Sequence, residues 1–288
     1  MLQDMAYGRL ENEFAHPAPE KGDLVICCRG NSILVRRDRY DALFLPCREE
    51  VLAWAAEKSW EHWNEEPLQY VFRIHEVNYW IWMGEAGESG GEAYGYEIAR
   101  TLRQMISKQV CYAAWTGWHL FNWYKSNRFC GRCGHPTVHD GAERMLRCPE
   151  CGNMIFPRIA PSVIVAVTDG DRLLLSKYAN RAYTSYALLA GFTEIGETAE
   201  QTVQREVMEE VGLRVKNIRY YKSQPWGIDG NLLLGFFCDL DGDGEICLDR
   251  NELAMAEWYD RDNLPAKDDG ISLTREMVRI FGEGKEPK

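Results

Sequence analysis

Hydrophobic positions change period partway along the chain, and that change outlines its second half. Residues 161–168 and 172–176 are apolar almost without a break, and 215–221 form another such run. Short runs of this kind predict strands. Between them Val203, Val207 and Val211 recur every fourth residue, which predicts a helix with one face to bury. Thr198 followed by Gln201 reads as a capping box at its start, and Gly212 as the glycine that ends it. Gly191 and Gly196 allow a tight loop before the helix, closed by Glu197.

The first 95 residues repeat the strand pattern in shorter pieces, at 23–28, 32–35, 42–45, 71–76 and 78–83, with turn residues between them. Residues 51–63, with Trp54, Trp60 and Trp63, predict a helix or an irregular aromatic stretch, and 85–95 a Gly/Glu-rich loop. A long helix is predicted over 97–124 from Ile98, Leu102, Met105, Ile106, Val110, Ala113 and Ala114. Its second half, with Trp115, Trp118, Leu120, Phe121 and Trp123, is apolar nearly all round. That is the character of a helix buried between domains or at a subunit contact. The expected class is α+β, with a β-rich domain at 1–95, a linking helix at 96–126, a small module at 127–157 and a second domain at 158–288.

Composition narrows the function. The chain has 288 residues, is 45% hydrophobic and carries a net charge of −11. Burial is therefore not limiting, and general phosphate-backbone binding by excess Lys and Arg is disfavoured. No stretch approaches the ~18 apolar residues of a membrane span, and the first residues lack a basic-then-apolar leader pattern. Four of the ten cysteines are paired in CxxC units, while Cys27, Cys28, Cys47, Cys111, Cys238 and Cys247 are scattered. This fits a reducing cytoplasm and one metal site.

Two clusters carry candidate chemistry. On the predicted helix Glu206, Glu209 and Glu210 stand at i, i+3 and i+4, so like charges crowd one stripe. Hard divalent cations such as Mg²⁺ or Mn²⁺ take carboxylate oxygens and would relieve that repulsion. With Arg205, Glu197 and the flanking glycines the pattern is G-x5-E-x7-R-E-aliphatic-x-E-E-x-G-aliphatic, the Nudix box at every position. Seven fixed letters recur by chance with a frequency on the order of 10⁻⁸ per start site, which disfavours a merely solvated charged helix. The second cluster is Cys130-x2-Cys133 and Cys148-x2-Cys151, two knuckles able to give one Zn²⁺ a closed tetrahedral set of thiolates. Full coordination leaves no site for water, so this zinc is expected to be structural. A redox CxxC, or His135 or His139 in place of one cysteine, is the alternative. Residues 125–158 hold six Lys/Arg against three Asp/Glu, a modest basic excess.

A four-cysteine ribbon directly before a Nudix box, with Ser-Gln-Pro-Trp at 223–226, resembles the NADH pyrophosphatase family of the Nudix superfamily. The resemblance covers roughly residue 129 to the C-terminus. It implies a Nudix α/β/α sandwich, a zinc ribbon and a Nudix-like N-terminal domain, usually in a homodimer. It also implies Mg²⁺- or Mn²⁺-dependent cleavage of NAD(H) to nicotinamide mononucleotide and AMP, and in some members removal of NAD caps from RNA. By position, Glu206 and Glu210 match metal ligands with Glu209 beside them, and Glu252 matches a further ligand outside the box. Phe192 matches an aromatic that packs on nicotinamide. Residues 224–231, including Gln224, Pro225, Trp226 and Asn231, match a substrate-binding stretch, and Glu143 and Phe156 match residues that touch substrate. Gly227, Ile228 and Asp229 replace two prolines around a phenylalanine, Phe156 replaces a common tyrosine, and Thr274 occupies an alanine position. Core packing remains the alternative for Phe192 and Trp226, and a solvated loop carboxylate for Glu252. Arg205 is expected to hold Glu197 or Glu209. The general base is Glu209, Glu252 or a metal-bound hydroxide. Competing functions are hydrolysis of another nucleoside diphosphate derivative such as ADP-ribose, and a catalytically silent regulatory or RNA-binding protein. The intact carboxylate set opposes the latter.

Overall fold

The computed structural model describes residues 1–288 apart from 6–7, 41, 56–66, 85–92, 181–184 and 266–267. Trp60, Trp63 and most of the Gly/Glu-rich loop thus lie outside the described residues. The chain forms two compact units, one comprising Met1–Leu2, Ile159–Trp226 and Asn231–Lys288, the other Gln3–Arg158 with Gly227–Gly230.

The unit built from the N-terminal part contains β1 (Leu10–Glu11), β2 (Leu24–Arg29), β3 (Ser32–Arg37), β4 (Leu43–Phe44), α1 (Arg48–Ala55), β5 (Leu68–Ile74), β6 (Val77–Trp82) and β7 (Tyr94–Ile98). A 3₁₀ turn (Ala99–Gln104) and α2 (Lys108–Ser126) follow. Among the described residues the sheet order is β1-β5-β6-β2-β3-β4, with β7 also on β3 and β2 parallel to β6. Alternate residues of β2 feed two cores. Ile26 and Cys28 join a cluster with Ala113, Ala114 and Phe121 of α2, and Val25 and Cys27 join one with Val51 of α1. Gly117 lets α2 lie close on β2, since a Cβ there would come within 2.2 Å of Ile26 Cδ1.

The helix expected over 97–124 begins only at Lys108. Residues 94–98 pair with β3 instead, Glu97 opposite Ile33, and Ser107 caps the helix by accepting the Val110 N–H at 3.3 Å. Strand pairing with distant residues overrides a local helical period that carries little packing value: Ile98 and Met105 remain exposed.

After α2 comes a small sheet of β8 (Val138–His139), β9 (Leu146–Arg147) and β10 (Met154–Ile155) in the order β10-β9-β8. Its inner face joins the α2 core through Leu146 and Ile155, and His139 stacks on Tyr124 with ring centroids 4.9 Å apart.

The other unit repeats the same succession: β11 (Ala160–Asp169), β12 (Arg172–Tyr178), β13 (Leu189–Phe192), α3 (Ala199–Val211), β14 (Val215–Trp226), β15 (Asn231–Leu240) and β16 (Leu253–Asp260). A 3₁₀ turn (Arg261–Asn263) and α4 (Leu273–Gly282) complete it. Its sheet order is β14-β15-β11-β12-β16 among the described residues, with β13 on β11 and β11 parallel to β15. Val163, Val165 and Val167 pack on Val203, Val207 and Val211 of α3, while Ile164 and Ala166 pack with Leu273, Met277 and Phe281 of α4. A strand covered on both faces reads as an unbroken apolar run, which is why 161–168 lacks alternation. The result is an α/β/α sandwich. No helix among the described residues is long and apolar enough to cross a membrane.

Candidate active site

The acidic helix is fixed at both ends by local chemistry. Thr198 Oγ1 accepts the Gln201 N–H at 3.2 Å and Gln201 Oε1 accepts the Thr198 N–H at 2.8 Å, so the expected capping box forms. Gly212 ends α3 in the left-handed region at φ 69°. The valine face turns inward, and Glu206 and Glu210 are carried partly with it, at 8% and 2% exposure. Glu209 points outward.

Arg205 organises the surroundings. Its Nε and Nη2 donate to Glu197 at 2.6 and 3.0 Å, its Nη1 to Glu206 Oε1 at 2.7 Å and Glu209 Oε2 at 2.9 Å, and its Nη2 to the Phe192 carbonyl at 2.9 Å. Glu197 also accepts the Thr202 hydroxyl at 3.0 Å and the Glu194 N–H at 3.1 Å. The Arg205 hydrogen bonds, with these two donors, hold the Glu197 carboxyl down at about 2. Glu206 moves the other way. Burial pushes its pKa up against the pull of Arg205, and the charges of Glu209 and Glu252 add to the rise.

The Glu206 carboxylate lies against bare backbone. A Cβ at Gly191 would fall 1.9 Å from both its Cδ and its Oε1, so any side chain there would displace the Glu206 carboxylate from this position. Two carboxylates, largely desolvated and one turn apart, with a third beside them, form a donor set suited to a hard divalent cation. Among the described residues these carboxylates do not stand as a ready-made group of three ligands, as the ribbon cysteines do. Arg205 holds Glu206 and Glu209 to itself. Glu252 stands exposed just before β16, its carbonyl accepting the Ala179 N–H at 2.8 Å.

One element of this site has little signal in the sequence. The Cys247 N–H donates to the Val211 carbonyl and the Asp249 N–H to the Glu210 carbonyl, each at 2.9 Å. This strap satisfies carbonyls that the end of α3 leaves open and leads the chain to Glu252. Asp249 accepting the Asn251 N–H at 2.9 Å is an Asx turn readable from Asp-Arg-Asn, but its docking partner is not.

The substrate candidates separate. Phe192 is 54% exposed, which removes the core-packing alternative for it. Trp226 is half-buried and pairs with Asn231 across the β14–β15 hairpin. Pro225 is exposed, and Thr274 lies half-buried in the first turn of α4. Asn231 is buried, its Nδ2 donating to Ser162 Oγ at 3.1 Å. Gln224 is fully buried, with both amide atoms bonded to backbone: Nε2 donates to Ile271 O at 2.8 Å, and Oε1 accepts the Leu273 N–H at 2.7 Å. Glu143 and Phe156 are exposed on the other unit.

The departures at 227–229 have a packing explanation. A Cβ at Gly227 would lie 2.3 Å from the Trp115 carbonyl oxygen, Ile228 packs into the α2 core, and Asp229 pairs with Arg100 through two contacts.

In the ribbon the four cysteine sulfurs lie within 4.8 Å of one another, Cys130 to Cys151 at 3.6 Å and Cys133 to Cys148 at 3.4 Å. The Arg132 N–H, donating to Cys130 Sγ at 3.4 Å, holds that thiol down at about 6, and the Cys151 N–H lowers Cys148. Four cysteine sulfurs converging on one point fit a closed Zn²⁺ site. His139 is not a ligand: its ring is stacked on Tyr124, and burial holds its pKa down at about 4.

Comparison with known proteins agrees with this layout. Residues 158–279 match the NUDIX domain and residues 125–156 match the NADH pyrophosphatase zinc ribbon domain. An NAD-capped RNA hydrolase NudC from Klebsiella pneumoniae is 37% identical over 71% of this chain and 79% of its own length. Proteins of the same description from Erwinia tasmaniensis and Citrobacter koseri are each 40% identical, over 68% and 62% of this chain and 80% and 70% of theirs. With both modules present in order and relatives matched over most of their length, the chain belongs to the NADH pyrophosphatase family of Nudix hydrolases.

Proposed function

We propose that this protein is a metal-dependent NAD(H) diphosphatase that yields nicotinamide mononucleotide and AMP, with NAD-capped RNA as a second substrate. The observation that carries the reading is the buried pair Glu206 and Glu210, Glu206 lying against the Gly191 backbone, with the exposed Phe192 ring on the same strand as that glycine. The relatives described as NAD-capped RNA hydrolases support the substrate class.

Glu206 and Glu210, with Glu209 and Glu252, are the residues that would hold Mg²⁺ or Mn²⁺. Bound there, such a cation neutralises pyrophosphate charge and lowers the pKa of a water. Arg205 keeps Glu206 and Glu209 oriented. Glu209 and Glu252, exposed and electrostatically coupled to Glu206, are the side chains able to accept the proton of the attacking water. Phe192 and Trp226 offer ring faces to the bases. Pro225, Asn231 and Thr274 complete the substrate-side set of this unit, and Glu143 and Phe156 are substrate-side residues by family resemblance alone. Family resemblance supports a homodimer, and Phe129, Met154 and Phe156 leave apolar surface exposed in and beside the ribbon.

Ring stacking contributes roughly 0.5–1.5 kcal/mol per aromatic pair. Phe192→Ala and Trp226→Ala should therefore each lower kcat/KM for NADH roughly 2- to 12-fold more than for a small pyrophosphate lacking nicotinamide. Steady-state kinetics on both substrates check this. An equal loss on both would make the rings packing residues. A wild type that prefers ADP-ribose would move the assignment to that substrate.

A further inference from the structure

Glu252 lies far from the acidic stripe of α3 in the chain, and a short strap carries it there. Ile246 and Leu248 pack against the core that α3 builds with β11, so the strap is held by burial. On the same stretch the Cys247 N–H donates to Val211 O and the Asp249 N–H to Glu210 O, each at 2.9 Å. Asp249 then turns the chain. Its Oδ1 accepts both the backbone N–H and the side-chain Nδ2 of Asn251 at 2.9 Å. Its carbonyl accepts the N–H groups of Glu252 at 3.3 Å and Leu253 at 2.9 Å. Leu253, fully buried, opens β16 opposite Tyr178. One residue thus joins the backbone of Glu210 to that of Glu252. The Glu252 charge acts on Glu206, as that of Glu209 does, so this carboxylate stands within electrostatic reach of the stripe.

We infer that Asp249 is a positioning residue that holds Glu252 beside Glu206 and Glu210, in reach of the cation they would bind. The inference rests on the proposed reading of these carboxylates as Mg²⁺ or Mn²⁺ ligands. The strap is fixed by backbone hydrogen bonds and by Ile246 and Leu248, so truncating the Asp249 side chain leaves it docked and frees only the turn at 250–252. Gathering Glu252 to a cation then costs the ordering of that turn, which weakens binding. An asparagine keeps the Oδ1 acceptor and removes the charge, which separates positioning from electrostatics.

The test compares Asp249→Ala, Asp249→Asn, Glu252→Gln and the double variant Asp249→Ala/Glu252→Gln, each as the full chain without substrate. Mn²⁺ is the probe: the EPR signal of the free ion reads binding, and Tm is measured without added Mn²⁺. Asp249→Ala should raise the Mn²⁺ Kd roughly tenfold, the scale of loss for a group that orients a ligand. Asp249→Asn should stay within about twofold of wild type, because the turn keeps its acceptor. In the weakened Glu252→Gln background, adding Asp249→Ala should change Kd by less than about twofold, since residues that act as a unit are non-additive. Unchanged Kd with lowered Tm in Asp249→Ala would reduce Asp249 to a structural turn. An equal rise in Asp249→Asn would make its charge the cause. The same loss persisting in the Glu252→Gln background would mean that Asp249 does not act through Glu252. Any of these overturns the inference and leaves the ligand reading of Glu252 standing. Wild-type Mn²⁺ binding by Glu252→Gln would instead remove that reading, and the inference with it.

Discussion

Glu206→Gln and Glu210→Gln should each remove most turnover while leaving the fold intact. Each exchange keeps shape and deletes one anionic ligand. Losing part of a cation clamp costs several kcal/mol of transition-state stabilisation, roughly a 10²- to 10⁴-fold fall in kcat. Stability should not follow. Burial raises the Glu206 pKa above its unfolded value. Such a carboxyl binds more protons folded than unfolded, so its ionisation reduces stability as pH rises through that window. A neutral glutamine removes the penalty, and Tm of Glu206→Gln at pH 7 should hold or rise. Kinetics at saturating metal, with thermal unfolding measured without added Mg²⁺ or Mn²⁺ so that metal binding does not itself shift Tm, check both halves. Near-normal turnover in either variant would exclude that residue as a ligand.

Removing zinc should have the opposite signature, with stability lost first and catalysis second. The purified protein should contain one Zn²⁺ per chain, and thiolate zinc contributes directly to folding. The ribbon's inner face is part of the α2 core through Leu146, and Arg144 donates to the carbonyl of Asn12 at 3.2 Å and to that of Val71. Loss of the metal should therefore destabilise the surrounding unit as well as the small sheet. Cys148→Ser should lower Tm by at least ~5 °C. Metal analysis showing no zinc, or an unchanged Tm, would contradict the assignment.

The features legible in the sequence have causes that are close together in the chain. The capping box, the valine face and Gly212 lie within fifteen residues, and α3 follows from them. The strands of both sheets show as apolar runs because both faces are covered, and the CxxC spacing marks the metal centre without reference to the fold. What escaped depends on distant partners. The start of α2 is set by β7 pairing with β3, some sixty residues earlier. Gly191 reads as a loop glycine until Glu206 is seen against it. The strap at 247–249 is defined by carbonyls of α3, and the bonding of Gln224 by a helix nearly fifty residues further on. The Gly-Ile-Asp departure looks like altered substrate chemistry in sequence; in the structure it fits the hairpin tip against Trp115 and Arg100.

Product identification after incubating the intact protein with NADH tests the central claim most directly. Mass spectrometry should find reduced nicotinamide mononucleotide and AMP in equal amounts, formed only with Mg²⁺ or Mn²⁺, and the same bond cut in NAD-capped RNA. Intact NADH after incubation with either metal, or release of free nicotinamide in place of the two mononucleotides, would contradict the account.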